Sequence, residues 1–485
     1  MKIARVLAVL LSLGGAPVLS AEAPHGAAGA PHALSDRLAA GPRGRYAVWV
    51  FFQDKGPDAL RLATSTVSPR ALARRARRGR VATVSVADAP LTAGRVDAVA
   101  AIVTRVRHQS RWLNAMSVEA TPSEVRALEA LPFVARVELV RRFRQRRLEP
   151  GLRAAAEDAA DPIRKASALD YGTSFGQANL VKVPFLHDVG LDGRGVVIAM
   201  LDSGFDNLAH PAFATTRILG TRDFVNGDEG VADGDIGEGS HGTATLSVIG
   251  GFQSGQLIGP AYAASYLLAK TENTESETPV EEDNWAAAVE WAEAQGADVI
   301  SSSLGYLTYD RPFPSYSAAD LDGDTAISTR AADLAGERGV MVVNSAGNEG
   351  LAAGSNTLGA PADGHLVLAV GAVTPGRVRA SFSSVGPTAD GRIKPDVSAQ
   401  GVSVKAAQPD RSSGYTLVNG TSFSCPMTAG VVALLVQANP AATVDQVFGA
   451  LRTTASQART PDNLLGYGIV DALAALRVIA PQRLP

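Results

Sequence analysis

Hydrophobic and polar positions divide the chain into a short N-terminal module and a longer α/β segment. In the module, Arg45–Gln53, Asn114–Ala120 and Phe133–Val140 are rich in aromatic, β-branched or alternating apolar residues, which predicts three strands. The run Thr121-Pro-Ser-Glu124 predicts a helix start, with threonine as N-cap, proline at the first position and glutamate closing a capping box. These patterns predict a compact α+β module over residues of about 45–140.

From Asp170 onward, short apolar runs alternate with helical patterns. The predicted strands are Val196–Leu201, Val299–Ile300, Val340–Val343 and Leu366–Val370, and the predicted helices are Trp285–Gln295, closed by Gly296, and Thr325–Gly336, with Asp324 as N-cap. This alternation predicts an α/β fold in which helices cover both faces of a parallel sheet. Ligands then belong at the carboxyl ends of the strands.

The first residues have the pattern of a secretory signal peptide. Lys2 and Arg5 precede the apolar stretch Val6–Leu13, and Ser20-Ala21 offers a cleavage site, so we expect a signal peptide at 1–21. The alternative is a buried N-terminal helix. No other segment approaches the roughly 20 apolar residues of a membrane span, so we expect secretion, extracellular or periplasmic, without a membrane anchor.

Charge is unevenly distributed along the 485 residues. Residues 37–149 contain 22 Lys and Arg against 9 Asp and Glu, whereas residues 170–485 contain 18 against 34. The basic run Arg70–Arg80 is compatible with a nucleic-acid patch, a solvated helix face or a surface that docks onto the acidic half. A secretion signal disfavours the nucleic-acid interpretation, so we expect no nucleic-acid partner.

Residues 141–168 form the predicted boundary. Five arginines lie between Arg141 and Arg147, and a stretch rich in Ala, Asp and Glu follows Pro150. Such a segment is typical of an exposed linker, and exposed basic linkers are also where chains are cut. We expect proteolytic processing between about Arg147 and Asp170.

Three residues of complementary chemistry occupy strand ends or helix starts. Asp202 ends a predicted strand, His241 opens an apolar helix, and Ser422 precedes another in Gly420-Thr-Ser-Phe-Ser-Cys-Pro426. Alone, each would be interpreted as a turn or cap residue. Together they supply a nucleophile, a base and an orienting carboxylate at positions that a doubly wound sheet collects at one edge. Asn348, after the strand Val340–Val343, adds a candidate oxyanion donor.

The order Asp, His, Ser and the motifs around these residues resemble the subtilases, the subtilisin-type serine endopeptidases. Further matches are Ser301-Ser-Ser-Leu-Gly305, Lys394-Pro-Asp396 and Gly466-Tyr-Gly-Ile-Val-Asp471. The resemblance covers residues of about 170 to 476, and more loosely the module resembles the inhibitory propeptide of such proteases.

The resemblance implies a secreted serine endopeptidase made as a self-processing zymogen. It implies a signal peptide at 1–21, a propeptide at 22–168 and a peptidase domain at 169–485. Asp202, His241 and Ser422 would form the triad with Asn348 at the oxyanion, and Ser303, Leu304, Gly305 and Gly347 would bind substrate. Proteins or peptides would be its substrates, the propeptide its intramolecular inhibitor, and a monomer its expected state.

The family's catalysis requires no cofactor, although its members often bind structural calcium. Three acidic segments are candidates, namely Asp223–Glu238, Glu281–Asp283 and Asp320–Asp324, but the last lacks the full EF-hand pattern, and solvated loops or helix caps are the alternative. The single cysteine, Cys425, excludes an intrachain disulfide and a lipid anchor near the signal, and we expect it to be a small buried filler.

Three other functions are compatible with parts of the sequence. An α/β-hydrolase esterase needs Gly-x-Ser-x-Gly and the order Ser, Asp, His, but Ser424 stands where the second glycine belongs. A related acid peptidase with a glutamate base is disfavoured by the His241-Gly-Thr motif. A catalytically inert secreted binding protein of the same fold remains the alternative, although all the catalytic residue types are present.

Overall fold

A computed structural model describes residues 34–39, 44–140, 168–232, 239–274, 280–307, 315–352 and 354–484. The predicted signal peptide at 1–21 and the predicted processing segment, apart from its last residues, lie outside the described residues. We call residues 44–140 the N-terminal module and residues 168–484 the C-terminal domain.

The N-terminal module is an antiparallel four-stranded sheet with helices, in the order β2-β3-β1-β4. Its strands are β1 (Tyr46–Phe52), β2 (Arg105–Ser110), β3 (Ala115–Ala120) and β4 (Val134–Leu139), and its helices are α2 (Ala59–Ala63), α3 (Pro69–Arg78), α4 (Ala93–Ala100) and α5 (Pro122–Glu129), with α1 (Leu34–Ala39) packed on α5. The predicted capping box of α5 is present, since Thr121 N donates to Glu124 at 2.7 Å and Glu124 N donates to Thr121 Oγ1 at 3.3 Å.

The C-terminal domain is built on a seven-stranded parallel sheet, as predicted. Its helices are α6 (Phe175–Leu180), α7 (Val183–Asp188), α8 (Ser240–Gly250), α9 (Val280–Gln295), α10 (Ile327–Glu337), α11 (Thr421–Ala438), α12 (Val444–Thr454) and α13 (Ala472–Ile479). Its strands are β5 (Val197–Asp202), β6 (Arg217–Asp223), β7 (Phe252–Gln253), β8 (Leu257–Ile258), β9 (Ser265–Lys270), β10 (Val299–Ser302), β11 (Met341–Ser345), β12 (Val367–Val373), β13 (Val397–Gln400), β14 (Val404–Ala407) and β15 (Tyr415–Val418). The parallel sheet has the order β13-β12-β11-β10-β5-β9-β6.

Alternate residues of the central strand β5 pack against helices on opposite faces of the sheet. Ile198 and Met200 belong to the core that contains α8 and α11, whereas Val197, Ala199 and Leu201 belong to the core that contains α9 and α10. Because both faces are covered, the strand is apolar up to its last residue, Asp202, which is the pattern the sequence shows.

Helix α11 is 18 residues long and apolar enough to span a membrane by length and composition. It differs in this respect from the expectation that no segment beyond the N-terminus approaches such a length. Of its residues, 94% are buried by the sheet and neighbouring helices, so its hydrophobicity matches a central core helix.

The predicted N-cap of α10 is wrong. The helix begins at Ile327 with Ala326 in the cap position, because Asp324 belongs to a preceding turn in which Asp322 accepts from the backbone N–H groups of Asp324 and Thr325. The first turn of α10 is satisfied from another helix instead, since Glu282 of α9 accepts from the backbone N–H of Ser328 at 3.1 Å.

The basic run Arg70–Arg80 contacts the acidic C-terminal domain through one face of α3. Arg74 and Arg75 both contact Glu293 of α9, and all three side chains are fully buried. Arg75 is also held by Asp88 of the module through two bonds of 2.9 Å. Arg78 contacts Asp298 at 2.5 Å. The docking interpretation of this run is therefore confirmed, and the solvated-face alternative holds only for the opposite side of the helix.

A second set of contacts places the module sheet against α9. Asp283 accepts a 2.7 Å bond from Trp49 Nε1 and a bond from the Ser117 hydroxyl, and Arg107 lies 3.6 Å away. Burial raises the pKa of Asp283 to about 6, although Arg107 and these two donors lower it. The opposite charges of the two halves thus meet in one desolvated interface.

Replacing Glu293 by glutamine should weaken this interface strongly. Removing one member of a buried charge cluster leaves Arg74 without a counter-charge, which typically costs about 3–5 kcal/mol. We expect a large decrease in the urea midpoint of unfolding, followed by tryptophan fluorescence in chains that carry Ser422→Ala.

Asp445→Asn is the matched control for this prediction. It removes the pair between Asp445 and Arg80, whose side chains are 59% and 45% exposed, so it should cost less than about 1 kcal/mol. Equal midpoint shifts for the two variants would contradict the buried arginine network.

Candidate active site

Strand ends and helix starts converge at the carboxyl edge of the parallel sheet. Asp202 is the last residue of β5, while His241 and Ser422 are the second residues of α8 and α11. Asn348 follows the end of β11, two strands from β5. The four predicted residues therefore come from separate elements that the fold brings to one edge.

Asp202 is fully buried and holds the imidazole of His241. Its Oδ1 lies 2.7 Å from His241 Nδ1 and also accepts from Ser203 N at 2.8 Å. Its Oδ2 accepts from Thr245 Oγ1 at 2.8 Å. Because a carboxylate only accepts, Nδ1 carries the proton and Nε2 is left as the basic nitrogen of the neutral ring.

Two glycines allow α8 to approach the loop after β5 this closely. A Cβ on Gly242 would lie 2.2 Å from the carbonyl oxygen of Gly204. No side chain fits in that space, so the residue after His241 must be glycine for the imidazole to reach Asp202.

The electrostatic environment favours a basic His241. Burial lowers the pKa of His241, but the charge of Asp202 and its hydrogen bond outweigh burial, so the pKa is raised above its ordinary value. Within the described residues, Nε2 of His241 has no hydrogen-bond partner. The Phe423 ring, centred 5.6 Å from the imidazole, borders it.

Ser422 is held by a reciprocal pair of bonds with Ser303. Pro426 has no N–H, so the carbonyl of Ser422 lacks its usual helical donor and instead accepts from Ser303 Oγ at 2.8 Å. The Ser422 hydroxyl donates in turn to the Ser303 carbonyl at 3.4 Å. Ser422 is not the N-cap that its isolated motif suggests, because Gly420 occupies that position and the helix begins at Thr421.

Asn348 is oriented through its amide oxygen. Oδ1 accepts from Thr421 N at 2.9 Å and from Thr421 Oγ1 at 3.0 Å, which leaves the amide NH₂ group as the outward donor. Gly347, immediately before it, has φ of +113°, and a Cβ there would lie 2.7 Å from Ser384 Oγ. The turn that presents Asn348 therefore requires glycine.

The predicted substrate-binding residues lie beside these groups. Ser303, Leu304 and Gly305 follow β10, the strand between β5 and β11. Leu304 is buried, and its carbonyl accepts from Asn344 Nδ2 at 2.9 Å, which fixes the segment against the end of β11.

Cys425 and the acidic segments have structural environments. Cys425 is fully buried, and burial raises its pKa to about 12, which suits the predicted buried filler. Among the described residues, no group of three or more His, Cys, Asp or Glu side chains could hold a metal ion. In the candidate calcium segments, the carboxylates of Asp223 and Asp322 accept hydrogen bonds from their own turns.

Three supporting residues were not foreseen from the sequence. Thr245 donates to Asp202, and Thr421 donates to the amide oxygen of Asn348. Pro426 lacks an N–H, so the Ser422 carbonyl accepts from Ser303 instead. Thr245 lies four residues after His241 on the same helix face, so helical spacing alone offered a signal for it. The other two roles depend on contacts between distant parts of the chain.

Comparisons with known proteins indicate the family of this chain. Residues 193–468 match the subtilase family, and residues 47–154 match a peptidase S8 propeptide domain of Bacteroidota. M-protease of Shouchella clausii (strain KSM-K16) is 33% identical over 76% of this chain and 81% of its own length. Subtilisin E of Bacillus subtilis (strain 168) is 30% identical over 76% and 83%.

Among solved structures, the prenylagaramide maturation protease PagA aligns with a TM-score of 0.48 and 24% identity, over 62% of this chain and 99% of that one. The family match covers more than half of the chain, and it contains every candidate residue described above. The chain belongs to the subtilase family of serine endopeptidases and carries a peptidase S8 propeptide domain before its peptidase domain.

Proposed function

We propose that Asp202, His241 and Ser422 form the catalytic triad of a secreted, self-processing endopeptidase. The observation that carries the proposal is the 2.7 Å contact between Asp202 and His241 Nδ1, which leaves Nε2 unprotonated at a site that also holds a serine at a helix start. A serine hydroxyl needs such a base to act as a nucleophile at neutral pH.

The mechanism follows from these contacts. The Ser422 hydroxyl turns from the Ser303 carbonyl to His241 Nε2, which takes its proton as the oxygen attacks the scissile carbonyl. The imidazolium that forms is stabilised by buried Asp202, and it then protonates the leaving amine. Thr245 and Ser203 keep the carboxylate in place during both steps.

The oxyanion would be stabilised by two donors. One is the Asn348 amide, whose oxygen is already engaged by Thr421, and the other is the backbone N–H of Ser422 in the first turn of α11. The N-terminal end of that helix also contributes a partial positive charge. Ser303 to Gly305 and Gly347 would bind the substrate backbone and the side chain of its scissile residue.

The zymogen organisation combines a signal peptide at 1–21, a propeptide at 22–168 and a peptidase domain at 169–485. The propeptide domain would inhibit the enzyme intramolecularly until the chain cuts itself between about Arg147 and Asp170. The arginines that bind Glu293 and Asp298 support this role, and their burial disfavours a nucleic-acid partner. We further propose a monomer that acts outside the cytoplasm, with no cofactor in catalysis. A loss of thermal stability on addition of a chelator would indicate structural calcium.

The alternative, an inert binding protein of the same fold, requires an impaired site. The complete Asp202–His241–Thr245 contacts and the oriented Asn348 argue against it. A fluorophosphonate, which reacts with an activated serine, discriminates between the two functions because an inert protein would not be labelled at Ser422.

Ser422→Ala should leave an uncut precursor. Without the nucleophile the chain cannot cleave its own linker, so we expect one full-length band by gel electrophoresis, with an N-terminus at the signal-peptide site by sequencing. The host must lack other secreted proteases.

Ser424→Ala is the matched control, since it makes the same change two residues along α11. Among the residues that the structure describes, its hydroxyl bonds only within the helix, to the Thr421 carbonyl at 2.9 Å, so this variant should mature normally. Normal maturation of Ser422→Ala would refute self-processing.

Asn348→Ala should lower kcat while KM stays nearly constant. Loss of one oxyanion donor costs about 10²–10³-fold in kcat, a magnitude carried over from subtilisin, a relative of this chain. Steady-state kinetics on a soluble peptide provide the measurement.

Thr421→Val provides a graded comparison for Asn348. It removes one of the two donors that orient Asn348 and keeps the backbone N–H, so its loss in kcat should be smaller. An Asn348→Ala variant with native kcat would exclude this residue from the oxyanion site.

A further inference from the structure

Glu272 is a buried acidic residue at the edge of the active site that the proposed mechanism does not use. It lies two residues beyond β9, the strand that pairs with β5 so that Lys270 is opposite Asp202. The backbone N–H of Thr271 donates to the Asp202 carbonyl at 3.0 Å. Glu272 therefore directly follows the residue that hydrogen-bonds to Asp202 at the end of β5.

One oxygen of this carboxylate is fixed by two hydroxyl donors. Oε1 accepts from the Tyr306 hydroxyl at 2.8 Å and from Thr271 Oγ1 at 2.9 Å. Tyr306 directly follows Gly305, the end of the predicted substrate-binding segment. Glu272 is thus bonded to the residue that follows that segment, across the end of the strand that carries Asp202.

No cation neutralises Glu272 within the described part of the chain. No Lys or Arg there forms an ion pair with it, and both hydrogen bonds to its carboxylate are accepted by Oε1. Burial raises the pKa of Glu272 to about 7, the two hydrogen bonds lower it, and the charges of Asp202 and Glu282 raise it further. A carboxylate in this setting is strongly stabilised by a cation that binds beside it.

The low exposure of Glu272 is shared by the catalytic centre. Its exposed fraction is 2%, the same as that of Ser422, and Ser303 is exposed by 3%. In the full-length chain, Glu272 is therefore no more deeply buried than the groups that must contact substrate. The charge of Glu272 also contributes to the raised pKa of His241.

Substrate geometry indicates which side chain would reach it. An extended peptide bound along Ser303–Gly305 points alternate side chains to opposite sides. The scissile residue, whose carbonyl is at Ser422, directs its side chain along that segment towards Gly347. The residue immediately before it then points to the other side, towards the ends of β5 and β9, the strands that carry Asp202 and precede Glu272.

We propose that Glu272 is a specificity-determining residue that binds the ammonium or guanidinium group of a Lys or Arg placed immediately before the scissile residue of the substrate. This inference rests on the proposed function, since it assumes attack by Ser422. It identifies the substrate class as peptides with a basic residue at that position.

Paired peptides test the inference on enzyme produced from the full-length chain, with active sites counted by fluorophosphonate titration. The peptides differ only before the scissile residue, with arginine against citrulline and lysine against norleucine. Because each pair has nearly the same shape, the ratio of kcat/KM values reports the charge. We expect at least about a tenfold preference for the basic member, the size of one charge-assisted hydrogen bond to a buried carboxylate.

Glu272→Gln should reduce that ratio to less than about twofold, because glutamine keeps the shape and an acceptor for Tyr306 but loses the charge. Glu229→Gln, at an exposed position on the loop after β6, is the matched control and should keep the native ratio. A native enzyme without charge preference, or a Glu272→Gln enzyme that keeps it, would overturn the inference.

A further peptide series decides the matter if Glu272→Gln does not fold. On the native enzyme, a preference at the position before the scissile residue and none at the two preceding positions supports the inference, and any other distribution contradicts it. Failure of the proposed function is distinguishable, since it would appear as absence of labelling at Ser422. Labelled, active enzyme without charge preference would refute only the role of Glu272.

Discussion

The hydrogen bond between Asp202 and His241 is the contact on which the organisation of this site depends. It requires β5 at the centre of a parallel sheet, with its end desolvated by helices on both faces, and it requires α8 to start within reach of that end. Gly242 and Gly204 make the approach sterically feasible, and Thr245 completes the hydrogen bonding of the buried carboxylate. A carboxylate buried without these donors would be protonated or displaced, and the imidazole would lose its orientation.

The same constraint determines where the other groups lie. Since β11, β10, β5 and β9 are adjacent and parallel, the residues after their ends form one continuous row. That row contains Asn348, Ser303, Asp202 and Glu272. The start of α11 lies at the same sheet edge and adds Ser422 to the row. Pro426 and Ser303 then fix Ser422, so the apolar helix that forms the core also carries the hydroxyl of the proposed nucleophile. Folding of the core and assembly of the site are thus one event.

The sequence predicted the sheet, most of its strands and the four central residues, because apolar runs and Gly-rich strand ends are local signals. It also indicated two oppositely charged halves, but it did not show that Arg74, Arg75 and Glu293 would be fully buried together. The errors have a similar origin. Aspartate is common at N-caps, but Asp324 lies in a turn in which Asp322 accepts from its backbone N–H. The first turn of α10 instead donates to the distant Glu282. Thr421 and Glu272 acquire significance only from contacts across the sheet edge, which no local pattern encodes.

The central claim is that Asp202, through His241, activates Ser422. The most direct measurement is the second-order rate of phosphonylation of Ser422 by a fluorophosphonate, followed by mass spectrometry in the native enzyme and in Asp202→Asn. Asparagine preserves the shape but favours the wrong imidazole tautomer, so the account predicts a decrease of roughly 10³–10⁴-fold, with labelling confined to Ser422 in the native enzyme. A similar rate in Asp202→Asn, or labelling at another residue, would contradict it.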